Sequence, residues 1–245
     1  LKARDFKGVA GHVVKAALEK ERGEPGSTFK LDCEQQAAVR YIAEGKESIK
    51  VVSGFAGTGK TDMLAAAKEA LEAGGYRVIG TALAGVAART LQEKAGIESK
   101  TVRARELQLY PSLKHQWTHH ARQLVRAAMG MKTYKLEPLA IDAQTVLVID
   151  EAGMVGTRDF ALLARAVVER GGSIVAIGDE KQLSSIERGG AFAKLVRDIR
   201  GVRLTEIRRQ VDESDRAAVK DLAGGNPEAA LIHYSSKGQL CVARS

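Results

Sequence analysis

Residues 51–67 read VVSGFAGTGKTDMLAAA. An apolar run breaks into a glycine-rich turn, and Lys60-Thr61 then opens an alanine-rich helix. The turn from Gly54 to Thr61 satisfies G-x-x-x-x-G-K-[ST], and it stands between a strand pattern and a helix pattern as that motif requires. Glycines there let successive backbone N–H groups converge on phosphate oxygens without an intervening side chain. The amides and positive dipole end of the following helix add to that attraction. Lys60 supplies a point charge for the β- and γ-phosphates, and the Thr61 hydroxyl is a ligand for Mg²⁺. Gly54, Ala56, Gly57, Thr58, Gly59, Lys60 and Thr61 are therefore candidate ligands of a nucleoside triphosphate.

On either side of this stretch the chain alternates short apolar runs with helical stretches. The runs at 49–53, 77–81, 145–149, 173–178 and 202–204 lack strict alternation, as strands buried on both faces of a parallel sheet do. Helices are expected at 59–73, 158–170 and 189–200, each followed by glycine. This predicts an open α/β sheet with helices on both faces. Residues 1–30 read as a helix and linker with a loop-like GEPGST, and residues 31–204 as the main domain. From residue 205 the chain is expected to enter a second, incomplete domain, with a helix after Asn226-Pro227.

Two further strand ends carry chemistry. TVLVIDEAGMV (145–155) runs apolar into Asp150-Glu151, at the strand end where open α/β sheets place ligands. An aspartate there can hold the hydration shell of Mg²⁺, and an adjacent glutamate can orient and deprotonate a water. SIVAIGDEKQL (173–183) repeats the logic with Gly178-Asp179 and Gln182, a glutamine placed to touch a γ-phosphate and a bound polymer.

Composition frames this reading. The 245 residues are 44% apolar and 28% charged, which is ordinary globular usage. No apolar run is long enough to span a bilayer, so a cytoplasmic protein without membrane association is expected. Cys33 and Cys241 lack partners at metal-ligand spacing. The net charge is +8, and residues 100–135 hold eight lysines and arginines against one acid, Glu106. So local an excess predicts a surface facing a polyanion. In this insertion His115, His119, Arg122 and Arg126 fall on one helical face, with Tyr110 or Trp117 available for base stacking.

Taken together, GFAGTGKT, TALAGVAARTL (81–91), VIDEAG (148–153), GDEKQL (178–183) and LTEIRRQ (204–210) resemble superfamily 1 helicases of the RecD-like branch. The likeness is nearest to the helicase region of TraA-type relaxase–helicases of conjugation. The resemblance implies a RecA-like P-loop ATPase domain using ATP and Mg²⁺, and ATP-driven movement on single-stranded DNA with 5′-to-3′ polarity. It also implies a relaxase domain in the same full-length chain and a transfer apparatus as partner. By resemblance, Gln35 (or Gln36) of LDCEQQAAV reads the adenine edge, and Gln182 couples the γ-phosphate to DNA. Arg209 (or Arg208) reaches the γ-phosphate from the second motor domain. Lys60, Glu151, Gln182 and Arg209 are the catalytic set, and Thr61 and Asp150 the metal ligands. Thr81 and Ala84 in TALAG and Thr101 in SKTV are the expected DNA contacts, joined by Arg103, Arg105, Arg122 and Arg126 from the basic insertion.

Asp62 departs from the family, which commonly has a hydroxyl residue there, and later motor motifs are not present. Weak or no hydrolysis by this segment alone is therefore expected. Two other readings fit parts of the pattern: a P-loop ATPase of a repair or nuclease complex, and a non-hydrolysing DNA-docking module.

Overall fold

The computed structural model describes residues 6–24, 27–55, 57–110, 128–129, 138–179, 190–206, 214, 217–219, 221 and 226–237. At its centre is a sheet of six parallel strands: β3 (Ile49–Gly54), β4 (Arg77–Ala82), β5 (Glu98–Thr101), β6 (Thr145–Asp150), β7 (Ser173–Gly178) and β8 (Val202–Leu204). Their order is β5-β4-β6-β7-β3-β8, which brings the C-terminal ends of β3, β6 and β7 side by side.

Alternation of side chains along each strand sorts the apolar residues into two cores. Val52, Val146, Val148, Val175 and Ile177 face one layer, while Val51, Leu147, Ile149, Ile174 and Ala176 face the other. The first layer holds α1 (Gly11–Glu19), α2 (Cys33–Glu44), α3 (Lys60–Ala73) and α4 (Gly85–Ala95). The second holds α5 (Val102–Leu109), α6 (Thr157–Val168) and α7 (Ala191–Asp198). A further helix, α8, spans Pro227–Ser236. The five expected strands and the helix after the glycine-rich turn are all present.

Three elements differ from expectation. Residues 22–24 and 27–29 pair as antiparallel strands, β1 (Arg22–Glu24) with β2 (Ser27–Phe29), where a loop was expected. The polar segment ESKT is strand β5, half-exposed at the sheet edge, where apolar periodicity gives no signal. Most tellingly, the division expected at residue 30 is not a break in packing. α1 packs on α2 and α3, Val14, Ala17 and Leu18 join the first core, and the Val9 N–H donates to Ala43 O at 2.7 Å.

The N-terminal end of the sheet contains a buried cation. Lys50 donates to Glu47 O at 2.9 Å and sits 3.8 Å from the centre of the Phe6 ring. Burial lowers its pKa to about 8, against the opposing pull of Glu47. Among the described residues, no helix is long and apolar enough to cross a membrane.

Candidate functional site

The glycine-rich turn leaves β3 at Gly54 and enters α3 at Lys60. Gly57 and Gly59 take positive φ, +87° and +72°, which side-chain-bearing residues rarely adopt. Thr58 between them is buried, and its hydroxyl donates to Phe55 O at 2.9 Å, closing the turn. The N-cap of α3 is Gly59, which has no side chain to cap the helix, and Gly59, Lys60 and Thr61 line the cavity bounded by the turn. Lys60 Nζ donates to Gly54 O at 2.7 Å and to Phe55 O at 2.9 Å. The ammonium is thus folded over the loop whose motif assigns it to phosphate.

Opposite the turn, Asp150 ends β6. Its Oδ1 accepts from the Glu151 N–H at 2.9 Å. Glu151 has φ +51°, and it is the positive-φ residue other than glycine among those described. A non-glycine residue in this region costs on the order of 1 kcal/mol and clusters at functional sites. Burial pushes the Asp150 carboxyl up, opposed by the Glu151 amide and the Lys60 charge. Burial and then the neighbouring Asp150 charge push Glu151 up, again opposed by Lys60. Environments that raise a carboxylate's pKa are how a protein sharpens a glutamate into a base.

These groups share one cavity of about 650 Å³, into which Gly57, Lys60, Thr61, Asp150, Glu151 and Asp179 all project or open. Thr90 and Lys94 of α4 line its far wall. Their i, i+4 spacing marks a common helix face, but only the packing of α4 shows that this face meets the phosphate turn. The residues present fit a nucleoside triphosphate with Mg²⁺: the start of α3 and Lys60 for phosphate, Thr61 and Asp150 for the ion.

Other expected site residues fall elsewhere. Gln35 is fully buried, and both ends of its amide are spent within the chain. Its Oε1 accepts from Asp32 N at 3.1 Å, completing the reciprocal cap of α2, and its Nε2 donates to Thr58 O at 3.1 Å and Gly59 O at 3.3 Å. Gln35 is a brace of the phosphate turn here, rather than a group presented to a base. Gln36, its alternative, donates to Leu31 O at 2.8 Å.

Thr81 is buried in β4 and gives its hydroxyl to Lys100 O at 3.0 Å. Thr101 caps α5 by accepting from Ala104 N at 3.3 Å. Ala84 is exposed at the cavity rim, and Arg103 is exposed and paired with Glu106 at 3.0 Å. Ala56, Arg122, Arg126, Gln182 and Arg209 lie outside the described residues, as does most of the basic insertion.

Arg105 is a clear correction to the expected DNA surface. It is 1% exposed and donates to Gly80 O (3.1 Å), Glu98 O (2.8 Å) and Gln108 Oε1 (3.1 Å). Its guanidinium also meets the Glu98 carboxylate at 3.2 Å. A run of basic residues reveals charge but not helix face, and Arg105 falls on the inward face of α5, stitching β4 to β5. Arg105→Ala would strand these acceptors in the interior. It is expected to lower stability by about 2–4 kcal/mol, measurable by denaturant unfolding; a loss below about 1 kcal/mol would count against the stitching role.

A parallel sheet with a phosphate turn after one strand and an Asp-Glu pair after another defines a P-loop NTPase domain. Residues 30–245 match the AAA domain family, and the chain belongs to that family. It is 41% identical over 215 residues to the conjugal transfer protein TraA of Agrobacterium fabrum, covering 88% of this chain and 17% of the relative. To the probable conjugal transfer protein TraA of Sinorhizobium fredii it is 36% identical, covering 98% of this chain and 19% of the relative. The RecBCD subunit RecD of Mycolicibacterium smegmatis is 30% identical over 86% of this chain and 39% of its own length. The chain therefore spans less than a fifth of those conjugal transfer relatives. Its fold is shared with the Pif1 helicase of Bacteroides, solved with ADP-AlF3 and single-stranded DNA. That likeness has a TM-score of 0.50 at 19% identity, and covers 81% of this chain and 47% of that one. The expected helicase kinship and P-loop fold are thus borne out, and the conjugal transfer proteins are among its relatives.

Proposed function

We propose that this chain is the ATP-binding motor domain of a DNA helicase of conjugative plasmid transfer. In this reading it hydrolyses ATP to move along single-stranded DNA, 5′ to 3′. The observation that carries it is the convergence of Lys60, the start of α3, Asp150 and Glu151 on one cavity. Lys60 would exchange its two carbonyl acceptors for phosphate oxygens, a stronger charge-assisted contact. Glu151 would hold and deprotonate the attacking water. The divalent ion, held by Thr61 and Asp150, neutralises charge on the phosphates when bound. Arg209, and a second motor domain beginning near residue 205, would complete the site on closure. Gln182 would sense the γ-phosphate, and Ala84, Arg103, Arg122 and Arg126 would lie along the DNA. A relaxase domain in the same full-length protein, and the transfer apparatus, are the proposed partners.

In the full-length protein, single-stranded DNA is expected to raise the steady-state ATPase rate at least about tenfold. An ATPase indifferent to DNA would overturn the motor reading. The RecD likeness supports a second reading, a motor within a nuclease complex; the higher identity to the TraA proteins favours the first.

A further inference from the structure

The first turn of α2 carries two neighbouring side chains that reach in different directions. Glu34 accepts three hydrogen bonds from the chain that leaves β8. The Thr205 N–H donates to Oε2 at 2.6 Å, the Thr205 hydroxyl to Oε1 at 2.5 Å, and the Glu206 N–H to Oε2 at 3.1 Å. The partners lie 171 residues apart in sequence. An acid in a helix's first turn suits the dipole on its own, but that role calls for no distant donors. Three donors on one carboxylate make a strong, directional clamp. The next residue, Gln35, grips Thr58 O and Gly59 O in the phosphate turn.

A second link joins the same two places through the sheet. β8 pairs with β3 so that Leu204 lies opposite Gly54, the first residue of the turn. The approach is close: a Cβ on Gly54 would come within 3.0 Å of Leu204 Cβ. The exit from the sheet at Thr205 is thus fastened to the phosphate turn by a strand on one side and by a helix turn on the other.

We infer that Glu34 is a positioning residue for nucleotide hydrolysis, tying the Thr205–Glu206 exit to the helix turn that braces the phosphate loop. The inference rests on the ATP-hydrolysing reading above. When Lys60 leaves Gly54 O and Phe55 O for a phosphate, the loop carbonyls that Gln35 holds readjust. The first turn of α2, where Gln35 follows Glu34, passes that adjustment to Glu34 and so to Thr205 and Glu206. By reciprocity, any force on that exit bears back on the loop. Glu34 itself is not among the residues that line the cavity.

The test is steady-state ATPase of the full-length protein with single-stranded DNA, comparing wild type, Glu34→Ala, Thr205→Val and the double variant. We expect kcat to fall about tenfold in Glu34→Ala and by a smaller factor in Thr205→Val, which keeps two of the three donors, and the double variant to be no slower than the worse of the two. Affinity for a non-hydrolysable ATP analogue is expected to stay within about twofold of wild type. Thr205→Val removes only the hydroxyl, so it keeps the test alive if Glu34→Ala does not fold. Unchanged kcat in the folded variants would overturn the inference. So would a parallel loss of kcat, analogue affinity and melting temperature, which marks a structural contact alone. Lys60→Ala serves as the control: if it still hydrolyses ATP, the nucleotide reading fails, whatever Glu34 does.

Discussion

Lys60→Ala is expected to abolish measurable ATP hydrolysis in the full-length protein and to weaken binding of an ATP analogue by about 10- to 100-fold. That range follows from losing one hydrogen bond to a charged phosphate, about 1.5–3 kcal/mol. In the structure the Lys60 ammonium rests on two carbonyls of its own loop, Gly54 O and Phe55 O. Removing it is expected to cost the fold little, because the start of α3 and the glycine turn stay in place. Loss of affinity without loss of melting temperature is therefore the signature. It can be read by calorimetric titration and thermal unfolding of the same sample. Undiminished affinity would mean that the turn does not hold phosphate.

Glu151→Gln separates binding from chemistry. The amide keeps the size and the hydrogen-bonding reach of the side chain but cannot take a proton from water. Analogue affinity is expected to hold or improve while kcat falls by about 10²–10⁴, the usual worth of a general base. The pH dependence provides a second measurement. Burial and the Asp150 charge hold the Glu151 carboxyl above the ordinary glutamate range. The working form is the carboxylate, so kcat/KM should be level at higher pH and fall as pH drops through that raised value. The two acids sit side by side, so the limb belongs to the pair and not to one residue. In Glu151→Gln the residual rate should lose the part of the acid limb that Glu151 supplies. A variant with near-normal turnover would remove Glu151 from the role of base.

The parts of this molecule that could be read from residues alone were those with a strong local signature. Apolar runs, three of them ending in Gly54, Gly178 or Asp150-Glu151, located five of the six strands of the central sheet. The spacing Gly54–Gly59–Lys60–Thr61 located the phosphate turn, because phosphate binding demands that backbone geometry. What escaped had its cause in tertiary packing. Strand β5 is polar because it lies at an edge, and Arg105 is charged yet interior because carbonyls of β4 and β5 surround it. Gln35 carries the right residue type for base recognition, yet the reciprocal cap with Asp32 turns its amide toward the loop carbonyls. Glu34 and Thr205 are far apart along the chain, and no spacing rule links them. Thr90 and Lys94 could be placed on one helix face but not opposite a cavity.

The docking of α1 bears on how such a domain can be excised. Similarity to the family starts at residue 30, and a scissor placed there would discard Phe6, Val9, Val14, Ala17 and Leu18, all buried. It would also orphan Glu69 on α3, which Arg22 meets at 3.2 Å. The flanks of α2 and α3 laid bare would form a greasy, adhesive stripe of the kind that drives aggregation. The durable unit therefore begins upstream of the family match, and a boundary drawn at residue 30 would yield a stickier, weaker fragment.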